Sequence, residues 1–175
     1  MSEWFERKES GLAFKFAKAR VWDCENSPLF RNLSGRPKLA EFAVLEEVDD
    51  TVRLCIIEAK SSAPRVLSEF CSQVAAKLCN ALILFATLRL GFHGDAESEL
   101  PEKIANAKIE PVNVHLVLII SAEDFKDANS PNLQDALVKE LRAFLHLTAI
   151  KTHQVHVYSR RHKHVLRWLG LNATN

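Results

Sequence analysis

Glu58 and Lys60 end a run of apolar residues, and their side chains are the clearest candidates for chemistry in this sequence. The run from Val52 to Ile57 is rich in β-branched residues, which predicts a largely buried strand. Because side chains alternate along a strand, Glu58 and Lys60 point to the same face. Charged groups in such a position are costly unless they are paired or hold a metal.

A second carboxylate, Glu41, joins this pair through a predicted hairpin. The segments 38–48 and 51–61 are predicted strands joined by a short acidic turn. If that turn is symmetric, Glu41 stands directly opposite Glu58, where like charges about 5 Å apart at Cβ repel each other. A divalent cation between them reverses that interaction, and Mg²⁺ takes oxygen ligands of this kind. A turn one residue longer or shorter would send Glu41 to the other face.

An acid, a hairpin and then Glu-x-Lys followed by small polar residues resemble the PD-(D/E)XK nuclease superfamily. In this chain the motif is Glu41, then Glu58-Ala-Lys60-Ser-Ser, and the resemblance covers roughly residues 1–125. The family usually has Asp at the position of Glu41, often with Pro just before it, whereas here Pro37 lies four residues earlier. Glutamate is one methylene longer, so a metal would sit differently.

The resemblance implies a restriction-endonuclease-like core, a mixed sheet flanked by helices in the order helix, strands, helix, strand. It implies that Glu41, Glu58 and the backbone carbonyl of Ala59 hold Mg²⁺ or Mn²⁺. Lys60 would then orient a water molecule or stabilise the charge that develops on the phosphate.

Two further residues are candidates because of the same resemblance. Members of the family often supply an acid from the first helix, which suggests Glu9. Some place a glutamine on the helix after the motif, which suggests Gln73. The alternatives stay open: Glu9 as a helix-edge residue that reaches solvent, and Gln73 as part of an exposed polar face that it shares with Lys77.

The remaining sequence predicts the elements that must position these residues. Proline near the start of a helix, glycine after its end and the spacing of apolar residues give the boundaries. The predicted order is a helix over 2–19, a segment over 20–36 that is irregular or holds one short strand, the hairpin, a helix over 65–90, a loop over 92–112, a strand over 114–121, a helix over 131–147, a strand over 153–158 and a helix over 161–169.

This order predicts the α/β class, with a mixed sheet flanked by helices. Strand and helix alternate in the second half, so right-handed crossovers and parallel pairing are expected there. Glu58 and Lys60 then lie at the carboxyl end of their strand, where open α/β sheets bind ligands.

The composition predicts one domain over residues 1–175 in the cytoplasm. The chain is long enough for a proper core, and its formal net charge of +1 creates no strong field toward nucleic acid. We expect no membrane contact, because the N-terminus has no secretory pattern and no apolar run reaches membrane length. The cysteines lack metal spacing and suit reduced thiols; they are Cys24, Cys55, Cys71 and Cys79.

The densest basic cluster lies near the C-terminus. Arginine and lysine side chains on one face can neutralise phosphates, whereas the alternative is a solvated helix face. The candidates for nucleic-acid contact are Arg160, Arg161, Lys163 and Arg167.

These patterns predict metal-dependent hydrolysis of phosphodiester bonds in nucleic acid, with DNA favoured. No specificity domain is visible, so we expect a protein partner subunit or a homodimer, in a bacterial defence or DNA-processing assembly. Two alternatives stay open. One is a catalytically inactive nuclease-like subunit that binds DNA or protein. The other is an interaction protein in which Glu58 and Lys60 form a solvated surface pair.

Overall fold

A central sheet and the elements around it account for most of the chain. The computed structural model describes residues 3–33, 35, 37–48, 51–62, 64–94 and 99–162. The elements in chain order are β1 (Trp4–Glu9), β2 (Leu12–Ala17), β3 (Val21–Asp23), α1 (Pro28–Asn32), β4 (Phe42–Val48), β5 (Thr51–Lys60), α2 (Leu67–Arg89), α3 (Glu102–Asn106), β6 (Val114–Ile120), α4 (Ser130–Thr148) and β7 (Val155–Ser159).

The sheet has five strands in the order β3-β4-β5-β6-β7. β3, β4 and β5 pair antiparallel, whereas β5, β6 and β7 pair parallel. The predicted α/β class with a mixed sheet flanked by helices is confirmed at this level. In the parallel half each connection contains a long helix, as parallel pairing requires.

The helices α2 and α4 cover one face of the sheet and build the larger core. Leu78 of α2 and Leu137 of α4 are fully buried against Leu118 of β6. Both crossovers lie on this face, as expected when crossovers of one hand follow a strand order that keeps moving in one direction. This arrangement brings the inner face of α2 over β5, the strand that carries Glu58.

The opposite face is covered by a β-hairpin, so the predicted helix over 2–19 is wrong. Its elements are β1 and β2, which pair antiparallel from Trp4 with Ala17 to Glu9 with Leu12. The turn residues Ser10 and Gly11 have φ of 50° and 76°, the two positive values that favour a two-residue hairpin turn.

The buried residues of β2 explain why this segment is a strand. Leu12, Phe14 and Phe16 are buried and alternate with half-exposed residues, which is the period-two pattern of a half-buried strand. Phe14 packs against Phe42 of β4, with ring centroids 4.9 Å apart. Leu12 and Phe16 also fit a helical stripe, but Phe14 between them fits only the strand.

The hairpin of β4 and β5 has the register that a symmetric turn predicts. Val48 pairs with Thr51, and Phe42 pairs with Ile57. The turn residues 49–50 lie outside the described residues.

Two other predicted segments contain helices that the sequence does not predict. The segment 20–36 contains the short strand β3, which agrees with one of its two predictions, and the short helix α1. The predicted loop over 92–112 contains α3, whose Ile104 is fully buried and holds this segment on the core. The predicted helix over 161–169 lies mostly outside the described residues.

The helix α2 was not expected to be a membrane candidate, yet by length and composition alone it could cross a membrane. Helices buried in the core of a protein can have the same length and apolar composition. Val74, Leu78 and Ala81 of α2 are buried against the sheet, so packing explains its apolar character.

Candidate functional site

The two predicted carboxylates come together at one end of the β4–β5 hairpin. The β4–β5 ladder ends at the pair of Phe42 with Ile57, and the backbone N–H of Glu41 donates to the carbonyl of Ile57 at 3.0 Å, one residue out of that register. The carboxylate of Glu41 lies close to that of Glu58, because one ammonium group contacts both. Glu41 is 3% exposed and Glu58 is 0% exposed. Two carboxylates with so little contact with water are costly unless cations compensate them.

A lysine from α2 supplies one such cation. The Nζ atom of Lys77 lies 2.9 Å from Oε1 of Glu58 and 3.6 Å from Oε1 of Glu41. The helix is tied to the sheet at this residue, because the N–H of Ala40 donates to the carbonyl of Lys77 at 3.2 Å. One ammonium group thus lies between the carboxylates, at the place where the sequence predicts a divalent cation.

Lys60 supplies the second cation beside Glu58. Its Nζ lies 2.7 Å from Oε1 of Glu58, as expected from two residues that share a strand face. Both ammonium groups are within ion-pair distance of Oε1, but neither meets that atom in hydrogen-bond geometry. The other oxygen, Oε2 of Glu58, is buried and has no hydrogen-bond partner among the described residues.

Arg7 of β1 gathers four acids around one guanidinium group. The Cζ atom of this guanidinium group lies over the ring of Phe42, 5.1 Å from the ring centroid. Its two terminal nitrogens contact four carboxylates, one on its own strand and three distant in sequence: Asp23 at 2.7 Å, Glu9 at 2.8 Å, Glu41 at 2.9 Å and Glu25 at 3.3 Å. Arg7 therefore links the β1–β2 hairpin to Glu41.

The whole cluster contains more acids than bases. Five carboxylates meet three cations, and the members are Glu9, Asp23, Glu25, Glu41, Glu58, Arg7, Lys60 and Lys77. An excess of acidic groups, two of them buried, favours binding of a further cation.

The pKa values reflect this crowding. Burial, together with the neighbouring charges of Glu58 and Glu25, raises the pKa of Glu41 to about 8. Burial also raises the pKa of Asp23, although Arg7 opposes the change. Burial lowers the pKa of Lys77, but the adjacent carboxylates outweigh it and leave that pKa raised. A carboxyl group that resists ionisation at neutral pH is typical of functional sites as well as of buried ion networks.

The tip of the β1–β2 hairpin closes the site at the carboxyl ends of β5 and β6. The carbonyl of Ala59 accepts a hydrogen bond from Oγ of Ser10 at 3.0 Å, and Ser121 donates to the carbonyl of Ser10. Glu9 accepts from the N–H of Ser10 at 3.1 Å. Glu9 therefore lies in the cluster, on a strand instead of the predicted helix.

The other predicted residues lie apart from the two carboxylates. Gln73 is exposed, and its amide donates to Glu69 at 3.3 Å. Arg160 contacts the carboxylate of Glu123 at 3.3 Å, and Arg161 donates to the carbonyl of that residue at 3.2 Å. The remaining two, Lys163 and Arg167, lie outside the described residues.

The donors at this site fit a hard cation in chemical type. Across the part of the chain that is described, no group of three or more His, Cys, Asp or Glu side chains is arranged to hold a metal. Mg²⁺, however, commonly uses one or two carboxylates and completes its shell with water or phosphate. Glu41 and Glu58 supply those carboxylates, Oε2 of Glu58 lacks a hydrogen-bond partner, and the Ala59 carbonyl keeps a second lone pair.

Sequence reasoning missed Arg7 as the hub and Lys77 as the bridging cation. Lys77 lies three residues after Val74 and four before Ala81, both buried. A lysine within the apolar stripe of a helix therefore indicates a buried ammonium group that needs a carboxylate partner. Arg7 gave no such signal, because three of its four partners, Asp23, Glu25 and Glu41, are distant in the sequence.

Comparisons of the chain with protein-family models, with curated proteins and with solved structures found no match. The geometry of the site therefore carries the functional proposal.

Proposed function

We propose that this protein hydrolyses phosphodiester bonds of nucleic acid, with DNA favoured, in a reaction that depends on Mg²⁺ or Mn²⁺. One observation carries the proposal: the carboxylates of Glu41, just before β4, and of Glu58 on β5 reach a common cation, and Lys60 contacts Glu58. Two buried carboxylates that lie close together reduce stability unless cations compensate them, so a requirement for cation binding explains them better than stability does.

Each residue has a defined role in this proposal. Glu41, Glu58 and the carbonyl of Ala59 hold the metal ion, which supplies a Lewis acid for the phosphate and a bound water of lowered pKa. Lys60 orients the attacking water or stabilises the negative charge that builds up on the phosphate. Because Glu58 is fully buried, these charges interact in a medium of low dielectric constant, where their effect is larger than in water.

The order of elements supports a restriction-endonuclease-like core in part. The antiparallel hairpin β4–β5, the helix α2 and the parallel strand β6 follow the expected order. The hairpin β1–β2 takes the place of the expected first helix. The site lies at the carboxyl end of β5, the edge at which open α/β sheets bind ligands.

The proposal includes a partner and a compartment. A domain of this size without a visible specificity module suits a homodimer or a subunit of a larger defence or DNA-processing assembly. The described cysteines are free, and three of the four are buried, which is consistent with a reducing cytoplasm.

A nuclease assay tests the proposal. The purified protein, alone and with any partner that co-purifies, should cut DNA only when Mg²⁺ or Mn²⁺ is added. Lys60→Ala should lower the rate by about 10²–10³, the usual cost of removing a preorganised charge at a reacting group. Lys103→Ala is the matched control, because Lys103 pairs with Glu47 at the surface, 3.9 Å away. Equal rates for Lys60→Ala and the original protein would place catalysis elsewhere.

A second candidate is a catalytically inactive nuclease-like subunit that binds DNA or a protein. Lys77 and Arg7 favour it, because they already contact the carboxylates that a metal would need. Under this alternative the original protein binds DNA or its partner but does not cut with either metal.

A further inference from the structure

We propose that Lys77 is the built-in counter-ion of the two-carboxylate site, and that a divalent metal binds there only by displacing the Lys77 ammonium group. Lys77 then sets how tightly the site holds metal. This inference rests on the proposed metal-binding function and assigns a role to a residue outside the Glu-x-Lys motif.

The contacts of Lys77 are those of a bound cation. Its Nζ is 2.9 Å from Glu58 and 3.6 Å from Glu41, so it bridges the same two carboxylates that would bind a metal. Lys60 differs, because it contacts Glu58 at 2.7 Å and has no ion-pair contact with Glu41 among the described residues. A bridging cation and a metal cannot occupy the same space between two carboxylates.

Glu58 is buried beneath lysine side chains, so a side chain must move before a metal ion can reach its carboxylate. The Glu58 side chain is 0% exposed and that of Lys77 is 12% exposed, while Lys60 is 28% exposed. Incoming ions therefore meet the ammonium groups before they meet the carboxylate.

A displaced Lys77 side chain can reach water and the side chain of Gln73. Gln73 lies one helical turn before it on the same face of α2 and is exposed, and residues four apart on a helix are neighbours. The long lysine stem can carry its ammonium group outward to water while its methylene groups stay packed. The amide oxygen of Gln73 can accept from the displaced ammonium group.

Titration calorimetry with Mn²⁺ tests the proposal on four proteins: the original, Lys77→Met, Lys103→Met and the double variant Lys77→Met with Glu58→Gln. Methionine keeps the length and apolar character of lysine but removes the competing charge. We expect Lys77→Met to bind Mn²⁺ at least ten-fold more tightly than the original protein. Lys103→Met, the same substitution in a surface pair, should bind like the original, and the double variant should lose the gain.

The possible failures are distinguishable. If Lys77→Met binds Mn²⁺ no more tightly than the original, the role of Lys77 is wrong while metal binding stands. If the double variant keeps the gain, the metal lies elsewhere and the inference fails. If neither the original nor Lys77→Met binds Mn²⁺, the inference and the proposed function fail together.

A measurement on the original protein does not depend on a variant that folds. Reductive methylation, followed by mass spectrometry, reports how accessible each lysine is. Saturating Mn²⁺ should speed the methylation of Lys77 and leave that of Lys103 unchanged. An unchanged or slower rate at Lys77 in Mn²⁺ would overturn the displacement.

Discussion

The two ends of the β4–β5 hairpin both carry charge, but they arrange it in opposite ways. Toward the turn, Glu46 stands directly opposite Arg53, the cross-strand pairing of unlike charges that stabilises a sheet. At the other end, Glu41 stands beside Glu58, and the compensating cations come from elsewhere in the fold. One end is explained by local pairing, whereas the other depends on α2 and β1.

The neighbouring ion pairs show the same contrast. Glu47, near the turn, meets Arg20 at 2.7 Å and is about half exposed. Exposed pairs of this kind contribute little, because water and salt screen them. Glu58 meets Lys60 and Lys77 without contact with water. Glu46 at the turn end is also buried, but only at the other end do several carboxylates and cations from different elements meet, which is the physical reason to look for function there.

The largest expected difference in stability comes from neutralising one lysine at each end. Without metal, Lys77→Met should lower the unfolding free energy by about 2 kcal/mol, because it removes a cation from two buried carboxylates. Lys60 and Arg7 remain and limit the loss. Lys103→Met should cost roughly 0–1 kcal/mol. Urea unfolding with calcium and magnesium chelated measures both, and equal losses would contradict the contrast.

Glu46, at the turn end of the hairpin, should make the unfolding free energy depend on pH. Burial raises the pKa of Glu46 from its ordinary value of 4.5 to about 7, although Arg53 and Arg20 oppose the change. Between these values the folded chain holds a proton that the unfolded chain releases. The unfolding free energy therefore falls as the pH rises from about 4.5 to 7.

Glu46→Gln removes this proton. The variant should melt above the original protein at pH 8 and close to it at pH 5, as measured by circular dichroism. Glu41, whose pKa is raised to about 8, should leave a residual pH dependence in the variant. A melting difference that is the same at both pH values would mean that Glu46 ionises normally.

The smallest expected effect is at Arg20. Arg20→Ala removes the exposed contact with Glu47 and should cost roughly 0–1 kcal/mol. The loss should shrink further in about 0.5 M salt, because screening weakens exposed pairs. A larger loss that salt does not change would show that this end of the hairpin also depends on buried charge.

The sequence was sufficient where the signals were local. The symmetric turn predicted the register of β4 with β5, which runs from Val48 with Thr51 to Phe42 with Ile57 and brings Glu41 near Glu58. Pro64 and Gly91 bracket α2, and the alternation of strands and helices predicted the parallel half of the sheet.

The sequence was insufficient where distant segments meet. Spacing alone did not separate a helix from the β1–β2 hairpin, although Ser10-Gly11 followed by Leu12, Phe14 and Phe16 was the available signal for a turn and strand. The role of Arg7 depends on contacts with residues 16 and more positions away, and no local pattern encodes them.

The most direct test of the central claim is the effect of Mn²⁺ on thermal unfolding of the original protein and of Glu58→Gln. A ligand that binds only the folded state raises the melting temperature by mass action. The account predicts a clear rise for the original protein, and most of that rise should be lost in Glu58→Gln, which keeps the shape but not the charge. The same rise in both proteins, or none in either, would contradict metal binding at Glu58.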